Sequence, residues 1–399
     1  MRRLATPLGA LVLAAALACQ EKLTTPVDCP ALCPGGSLTI RDTVLLPLTG
    51  LDSSYANYVS VNEVPALLVS DRLSAGEART FATYPRQSDS LTVDGLPYLY
   101  TIDSVAVYFN ILARDSTVTG LRLLLHRVPP HFDSTATFTG VDTLLTAASL
   151  IDSITVHDTL KTGSVRLLLT GAALAKLTPF DGDSGRIGFG LRVRASAPTG
   201  VRLASLTAAS GAPTIITYAE VPTPDTTRRR QTITRVADSA NYVIDGPPPP
   251  GRDTLYLGGR SGARTVLRFK LPASVKDSAT VIRATLELTP AGPIKGLTGD
   301  PADIQLRGVL LDVGAKSPAL AGAAATLLVP AGATAVQSAD VRAIVATWFS
   351  TTPPPSSIFL GLFPEGGSFA RPEFLSTLAP SGGPRLRITY ALPSHPGHP

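Results

Sequence analysis

Cysteine is nearly absent from this chain: three residues in 399, too few for a disulfide-stapled scaffold. Charge is sparse as well, at 16% of residues, and the formal net charge of +5 is mild for the length and carries no nucleic-acid signature. There are five His, none at HxxxH or HxH spacing, which removes the zinc-protease class. Walker and dinucleotide-binding fingerprints are missing too. Long helices are excluded by 35 Pro spread along the whole chain, since each interior Pro costs a helix about 3 kcal/mol. What the chain does have is apolar content, 44%, enough to bury cores and to exclude general disorder. At roughly 150 residues per domain the length predicts two or three domains.

Residues 1–18 read MRRLATPLGALVLAAALA, with Arg2 and Arg3 ahead of an apolar run from Leu8 to Ala18. That run is about half of the ~20 residues that span a bilayer, so it reads as a signal-peptide core. No later run is long enough to span. Cys19 follows, and Ala16-Leu17-Ala18-Cys19 resembles a bacterial lipobox, in which cleavage before Cys exposes it for lipidation. It departs from the favoured pattern, which has Leu where Ala16 stands and a small residue at Leu17. The resemblance implies a lipid on Cys19 and membrane anchoring; plain secretion with cleavage near Ala18 is the alternative. Gln20 rather than Asp after the Cys points to the outer membrane. Cys29 and Cys33, in CPALC, remain as an even pair that can close a local disulfide; a zinc site would need two more ligands, and none lies nearby.

Beyond a polar tether (19–36), short stretches of period-two alternation are divided by Gly, Pro, Ser and Asp clusters. Val105, Val107, Phe109 and Ile111 face one way; so do Ile187, Phe189, Leu191 and Val193. In the second half Leu267, Phe269 and Leu271 alternate with Arg268 and Lys270, and Ile282, Ala284, Leu286 and Leu288 with Arg283, Thr285 and Glu287. This is the pattern of antiparallel strands with one wet face, hence of β-sandwiches. The halves repeat one another. SLTAASGAP (205–213) matches STLAPSGGP (376–384), and each leads to a strand ending Ile-Thr-Tyr. GRIGFGLRV matches SSIFLGLFP, and Ala-Arg-Thr recurs at Ala78 and Ala263. Four matches in one order indicate duplication. The expected fold is all-β: two tandem jelly-roll-like sandwiches at 37–222 and 232–392, joined by a Pro/Arg linker at 223–231, with a disordered tail at 393–399. Only short helices are expected, the clearest in SADVRAIVATWFS, with Ser338 as cap and Val341, Ile344, Val345 and Trp348 as a core stripe.

The second half resembles the DNRLRE-type domain of bacterial surface and secreted proteins. The resemblance rests on TVLRFKLP (265–272), the strand Ala279–Leu288, Asp340-Val341 with Trp348, the closing strand Pro384 to Tyr390, and the opening Ala237-Asp238 with Tyr242. Lys270 stands where the family has Asp. The likeness covers about 230–392, and reaches 40–220 only through the repeat. It implies surface display and, in some members, polysaccharide binding.

Chemistry is harder to find. Asp181 to Gly185 contains GDSG, like the nucleophile segment of chymotrypsin-like proteases, but the continuation is Arg186-Ile187 and no matching His segment lies upstream; turn residues explain it. Asp181, Asp183 and Ser184 offer three oxygens for calcium, yet Arg192 stands where an EF-hand needs Glu. Asp238 with Asp245 is a similar minor candidate. Seven Glu and scattered Asp recommend no glycosidase pair. No cofactor or metal site is expected, and the protein reads as no enzyme. For sugar stacking, Tyr55, Tyr58, Tyr242 and Tyr256 lie in polar segments that suit exposed rings. The leading expectation is a lipid-anchored binding or structural protein of the cell envelope, with polysaccharide as ligand. A surface scaffold that binds protein is the alternative, and a secreted hydrolase the third reading.

Overall fold

A computed structural model describes residues 39–55, 64–131, 136–177, 184–222, 228–246, 249–258, 263–272, 279–314, 317–348 and 356–392. Residues 1–38 and 393–399 fall outside them, and with them Cys19, Cys29, Cys33 and the expected signal peptide, tether and tail. The described chain is mostly strand, all of it antiparallel, with three short helices. In order the strands are β1 (Thr39–Leu45), β2 (Ser53–Tyr55), β3 (Ala66–Asp71), β4 (Glu77–Tyr84), β5 (Ser90–Val93), β6 (Leu96–Leu99), β7 (Thr101–Arg114) and β8 (Arg122–Val128). They continue as β9 (Leu150–Thr155), β10 (Gly163–Leu169), β11 (Ile187–Arg194), β12 (Thr199–Ala204), β13 (Thr214–Pro222), β14 (Arg228–Val236), β15 (Ser239–Asp245) and β16 (Thr254–Tyr256). The last are β17 (Arg264–Arg268), β18 (Thr280–Leu288), β19 (Ala302–Val309), β20 (Ala319–Val329), β21 (Gln337–Asp340), β22 (Ser357–Leu362), β23 (Glu373–Leu375) and β24 (Arg385–Leu392). The helices are α1 (Phe138–Asp142), α2 (Gly171–Ala175) and α3 (Arg342–Thr347).

Two sandwiches result. In the first, the sheet β14-β13-β7-β12-β3, with β10 on the other edge of β7, packs on β15-β4-β11-β8-β9. In the second, β1-β24-β18-β21 packs on β2-β17-β22-β19-β20, beside the pair β16–β23. The alternation read from sequence decides which face is dry: Val105, Val107, Phe109, Ile111, Phe189, Leu191 and Val193 share the first core. Leu267, Phe269, Leu286 and Ile388 share the second.

The two sandwiches match strand for strand. β14, β13, β7 and β10 correspond to β1, β24, β18 and β21; β15, β4, β11, β8 and β9 correspond to β2, β17, β22, β19 and β20. The pair β3–β12 corresponds to β16–β23, and the β5–β6 hairpin and α1 are additions of the first. The matching reveals an exchange. β1 and β2 open the first sequence repeat but lie in the second sandwich, while β14 and β15 open the second repeat and lie in the first. The first sandwich is therefore continuous (64–246) and sits between the two parts of the second (39–55 and 249–392), across the expected division at 223–231. The reason is local. β14 folds straight back along β13, from Pro222↔Arg228 to Thr214↔Val236, so the Arg-rich stretch expected as linker begins a strand instead. The place beside β24 is then filled by β1, from Thr39↔Leu392 to Leu45↔Leu386.

The exchanged segment is tied down along its length. Leu45 is buried in the second core, Leu48 N donates to Arg268 O at 2.7 Å, and Asp52 accepts from Thr377 through both its backbone N (2.7 Å) and its hydroxyl (2.5 Å). Arg268 clamps the Leu51 carbonyl while its guanidinium holds Asp312 at 2.5 and 2.8 Å. That hydrogen-bonded ion pair keeps the Asp312 carboxyl below its usual range. Between the sandwiches, Leu68, Leu73, Ala78 and Ile244 meet Leu297 and Phe369. Gly200 permits this approach, since a Cβ there would stand 2.9 Å from both Leu297 and Phe369.

Local details explain the repeats and two departures from expectation. Gly211 and Gly382, the shared glycines of the SLTAASGAP and STLAPSGGP turns, adopt φ of 82° and 78°, a region that side chains disfavour. In both Ala-Arg-Thr tripeptides the Arg is ion-paired: Arg79 to Glu77 (2.6 Å) and Asp142 (2.5 Å), Arg264 to Glu365 (2.5 Å). Ile282, expected to face the core, is 43% exposed. A bulge between Val281 and Arg283 shifts the register against β24 and turns Val281 inward instead. The expected helix begins later than Ser338, which pairs in β21; Asp340 Oδ1 accepts from Arg342 N at 2.9 Å at the start of α3. The stripe itself stands as read: Val341, Ile344, Val345 and Trp348 are fully buried, each contributing about 1.5–3 kcal/mol of apolar burial.

Candidate functional site

Of the four tyrosines read as candidate sugar contacts, Tyr58 lies outside the described residues. Tyr55 and Tyr256 both lie in the second sandwich, paired in their strands with Arg264 and Glu373, and Tyr256 N donates to Ser54 Oγ beside Tyr55 at 2.9 Å. Each is already engaged by a guanidinium: Arg371 lies 5.1 Å above the Tyr256 ring, and Arg268 Nη2 is 3.5 Å from Tyr55 Oη. Tyr242 is a joint residue. Its hydroxyl donates to the Gly366 carbonyl at 2.7 Å across the two sandwiches, its ring packs on the inter-sandwich cluster, and burial pushes its pKa up. Of the described three, Tyr242 thus lies at the joint between the sandwiches, while Tyr55 and Tyr256 lie in the second. Of the calcium candidates, Asp181 and Asp183 lie outside the described residues, while Asp238 is taken by Thr83 (2.8 Å) and by Arg186. Among the described residues no three His, Cys, Asp or Glu side chains gather to hold a metal.

A different pair of tyrosines, each half-buried, shares a wet face. On the outer face of the first sandwich, alternation along β7, β10 and β13 turns Tyr108, Arg166 and Tyr218 to the same wet side as Thr232 and Thr234 of β14. Arg166 stands opposite Tyr108, and Tyr218 opposite Thr232. Hydrogen bonding from Tyr108 first, then from Arg166, holds the Tyr218 hydroxyl below its ordinary pKa; the Arg166 guanidinium is raised in return, chiefly by Tyr218. Tyr108 stands on the strand between the other two, with Arg166 on one neighbouring strand and Tyr218 on the other. Four strands at about 4.8 Å spacing make this platform roughly 15 Å across.

A second feature is concave. A cavity of about 730 Å³ opens at the end of the first sandwich beside the β5–β6 hairpin and α2. Ile102, Val105, Leu174, Leu177 and Ile187 give it aliphatic walls, with Gln87, Tyr100 and Arg235 among them. Gln87 is locked on both sides: its Nε2 donates to Tyr100 Oη at 2.6 Å and its Oε1 accepts from Thr217 at 3.0 Å. Arg86 and Asp89 pair at the rim at 2.5 Å. Arg235 is only 7% exposed. Its Nη1 donates to the Pro85 carbonyl at 3.0 Å, and its Nε has no partner. Burial lowers the guanidinium's pKa, and among the described residues no carboxylate pairs with it. The neighbouring Tyr84 is wholly buried with an unpartnered hydroxyl, whose pKa burial drives up against the pull of Arg235.

No family model matches the chain, and no curated protein matches it. The DNRLRE-type resemblance accordingly rests on the residues quoted for it.

Proposed function

We propose that this protein is a non-catalytic binding protein of the bacterial envelope, anchored through a lipid on Cys19, that holds polysaccharide on the outer face of its first sandwich. The observation that carries the reading is the platform Tyr108–Arg166–Tyr218 on the wet face of the sheet, with Arg166 exposed and both tyrosines half-buried. Sugar rings stack their apolar faces on aromatic rings, and hydroxyls need fixed donors and acceptors in the same plane. The platform supplies both on one wet face, two rings together with their hydroxyls and a guanidinium. The signal peptide and lipobox-like segment support the address, and the family likeness supports surface display.

A glycan array on the folded chain, followed by titration of the strongest hit, tests the reading. Tyr108→Ala and Tyr218→Ala should each weaken that hit at least tenfold while leaving the fold intact. Absence of any hit, or hits untouched by both substitutions, would remove the platform from consideration. The scaffold alternative draws on one observation of its own: Ile40, Val44 and Leu46 are 62%, 47% and 64% exposed on or just beyond β1, an edge strand. Light scattering on the purified chain would show self-association if that edge recruits protein.

A further inference from the structure

The end cavity of the first sandwich has no part in the platform. Several features mark it as built to hold something. It falls within the size range of small-molecule sites, about 300–1,000 Å³. Its aliphatic walls come from separate elements: Ile102 and Val105 of β7, Leu174 of α2 and Ile187 of β11. Of the charged residues that line it, Arg86 and Asp89 pair with each other at the rim. Arg235 reaches it from β14, is more than nine-tenths buried, and has no carboxylate partner among the described residues. Its one hydrogen bond to a described residue goes to a main-chain carbonyl, so no described carboxylate compensates the charge. A buried guanidinium normally keeps a counterion, because an unpaired buried charge is strongly unfavourable. The contrast with Arg79 in the same sandwich is direct, since that buried guanidinium has two carboxylates.

We infer that this cavity is a binding site for an amphipathic monocarboxylate, whose head group pairs with Arg235 and whose aliphatic chain lies against Ile102, Leu174, Leu177 and Ile187. The one lining cation without a carboxylate partner among the described residues, Arg235, sets the head group. A carboxylate balances it one to one and accepts two parallel hydrogen bonds from a guanidinium. A phosphate monoester carries nearly two negative charges and would bring an excess charge into an apolar site with Asp89 at its rim. Gln87 and Tyr100, held by Thr217 and Ser88, form a rigid polar wall beside the head group. The β5–β6 hairpin, absent from the second sandwich, stands at this end of the first, so the site belongs to the first sandwich alone.

Isothermal titration of the full chain with sodium decanoate tests the inference, with decyl phosphate and decyltrimethylammonium as comparisons. Decanoate should bind saturably at one site, at least tenfold tighter than either comparison. Arg235→Gln should weaken it at least tenfold. Since Arg235 is buried, Ile102→Glu serves as the second variant: Ile102 is 43% exposed, and a carboxylate there should repel the ligand with the same loss. Absence of saturable binding overturns the inference, as does unchanged affinity in either folded variant. Equal or tighter binding of decyl phosphate or of the cation overturns it too. Tyr108 and Tyr218 lie outside the cavity lining, so the glycan titration and this one fail separately.

Discussion

Asp142, on the short helix α1, sets its Oδ1 2.5 Å from Nε of the wholly buried guanidinium of Arg79 on β4. Arg79 also donates to the carbonyls of Ser70 (2.7 Å) and Ala78 (3.1 Å), and lies 5.0 Å from the Phe138 ring. The insertion carrying α1 is thereby pinned to the five-stranded sheet by a charge that cannot reach water. Asp142→Ala should cost on the order of 2 kcal/mol, less than a fully broken buried pair because Glu77 remains. Asp142→Asn, which keeps an acceptor, should cost less. Urea denaturation of the three proteins measures both.

The exchange of opening strands gives a second expectation. A fragment spanning 232–392 lacks β1 and β2, so β24 and β17 each lose a ladder partner and the second core loses Leu45. It should fail to give a cooperative thermal transition. Adding residues 37–56 as a peptide, or fusing them to the fragment, should restore it. A fragment of 64–246 should fold alone. Cooperative melting of 232–392 by itself would show that β1 and β2 are dispensable.

His126 gives a pH dependence with a definite sign. It is buried on β8 with Nδ1 3.1 Å from Ser149 Oγ and Nε2 unpartnered. Desolvation first, with the charges of Arg192, Arg194 and Arg79 adding to it, lowers its pKa from 6.5 to about 4, against an opposing hydrogen bond at Thr146. The unfolded chain takes up this proton below pH 6.5 and the folded chain only near pH 4. Stability is therefore present above 6.5 and lost as pH falls through that window, by on the order of 2 kcal/mol. His126→Gln should flatten the fall in melting temperature between pH 6.5 and 4.

The proposed anchor is tested at Cys19, the residue expected to carry the lipid. Two or more acyl chains suffice for stable anchoring, whereas one gives marginal, reversible binding. Cys19→Ser should move the protein from the detergent-extracted envelope fraction to the soluble one without changing its β-rich circular dichroism. A wild-type N-terminus found unmodified near Cys19 by mass would replace anchoring with plain secretion. Since β1 belongs to the second sandwich, an anchor at Cys19 would join the chain there.

Sheet content, the dry faces of β7, β11 and β17, and the α3 stripe were legible because a period of two or 3.6 is written directly in the side chains. The exchange was not. Strand partners are chosen across the fold, and nothing in the composition of β1 or β14 says which sandwich receives it. The platform was hidden for a related reason. Tyr218 and Tyr390 end the same Ile-Thr-Tyr repeat, yet Tyr390 is buried in the second core while Tyr218 faces water. A one-residue difference in register turns every side chain of a strand to the opposite face, and the tripeptide reads alike in both cases. Arg235 was hidden by its neighbours Thr234 and Val236, exposed residues that make the segment look like a wet strand.

The handover of opening strands makes closure of the second sandwich a matter of effective concentration. β1 meets β24 because both belong to one chain, and the ladder they form would be equally well made by β1 of another molecule. Swapping of an identical element between protomers is a low-cost route to dimers. At the dilution of a single chain the intramolecular ring wins. Where molecules crowd together on a surface, the same seven-residue strand is the piece through which one copy can be completed by the next.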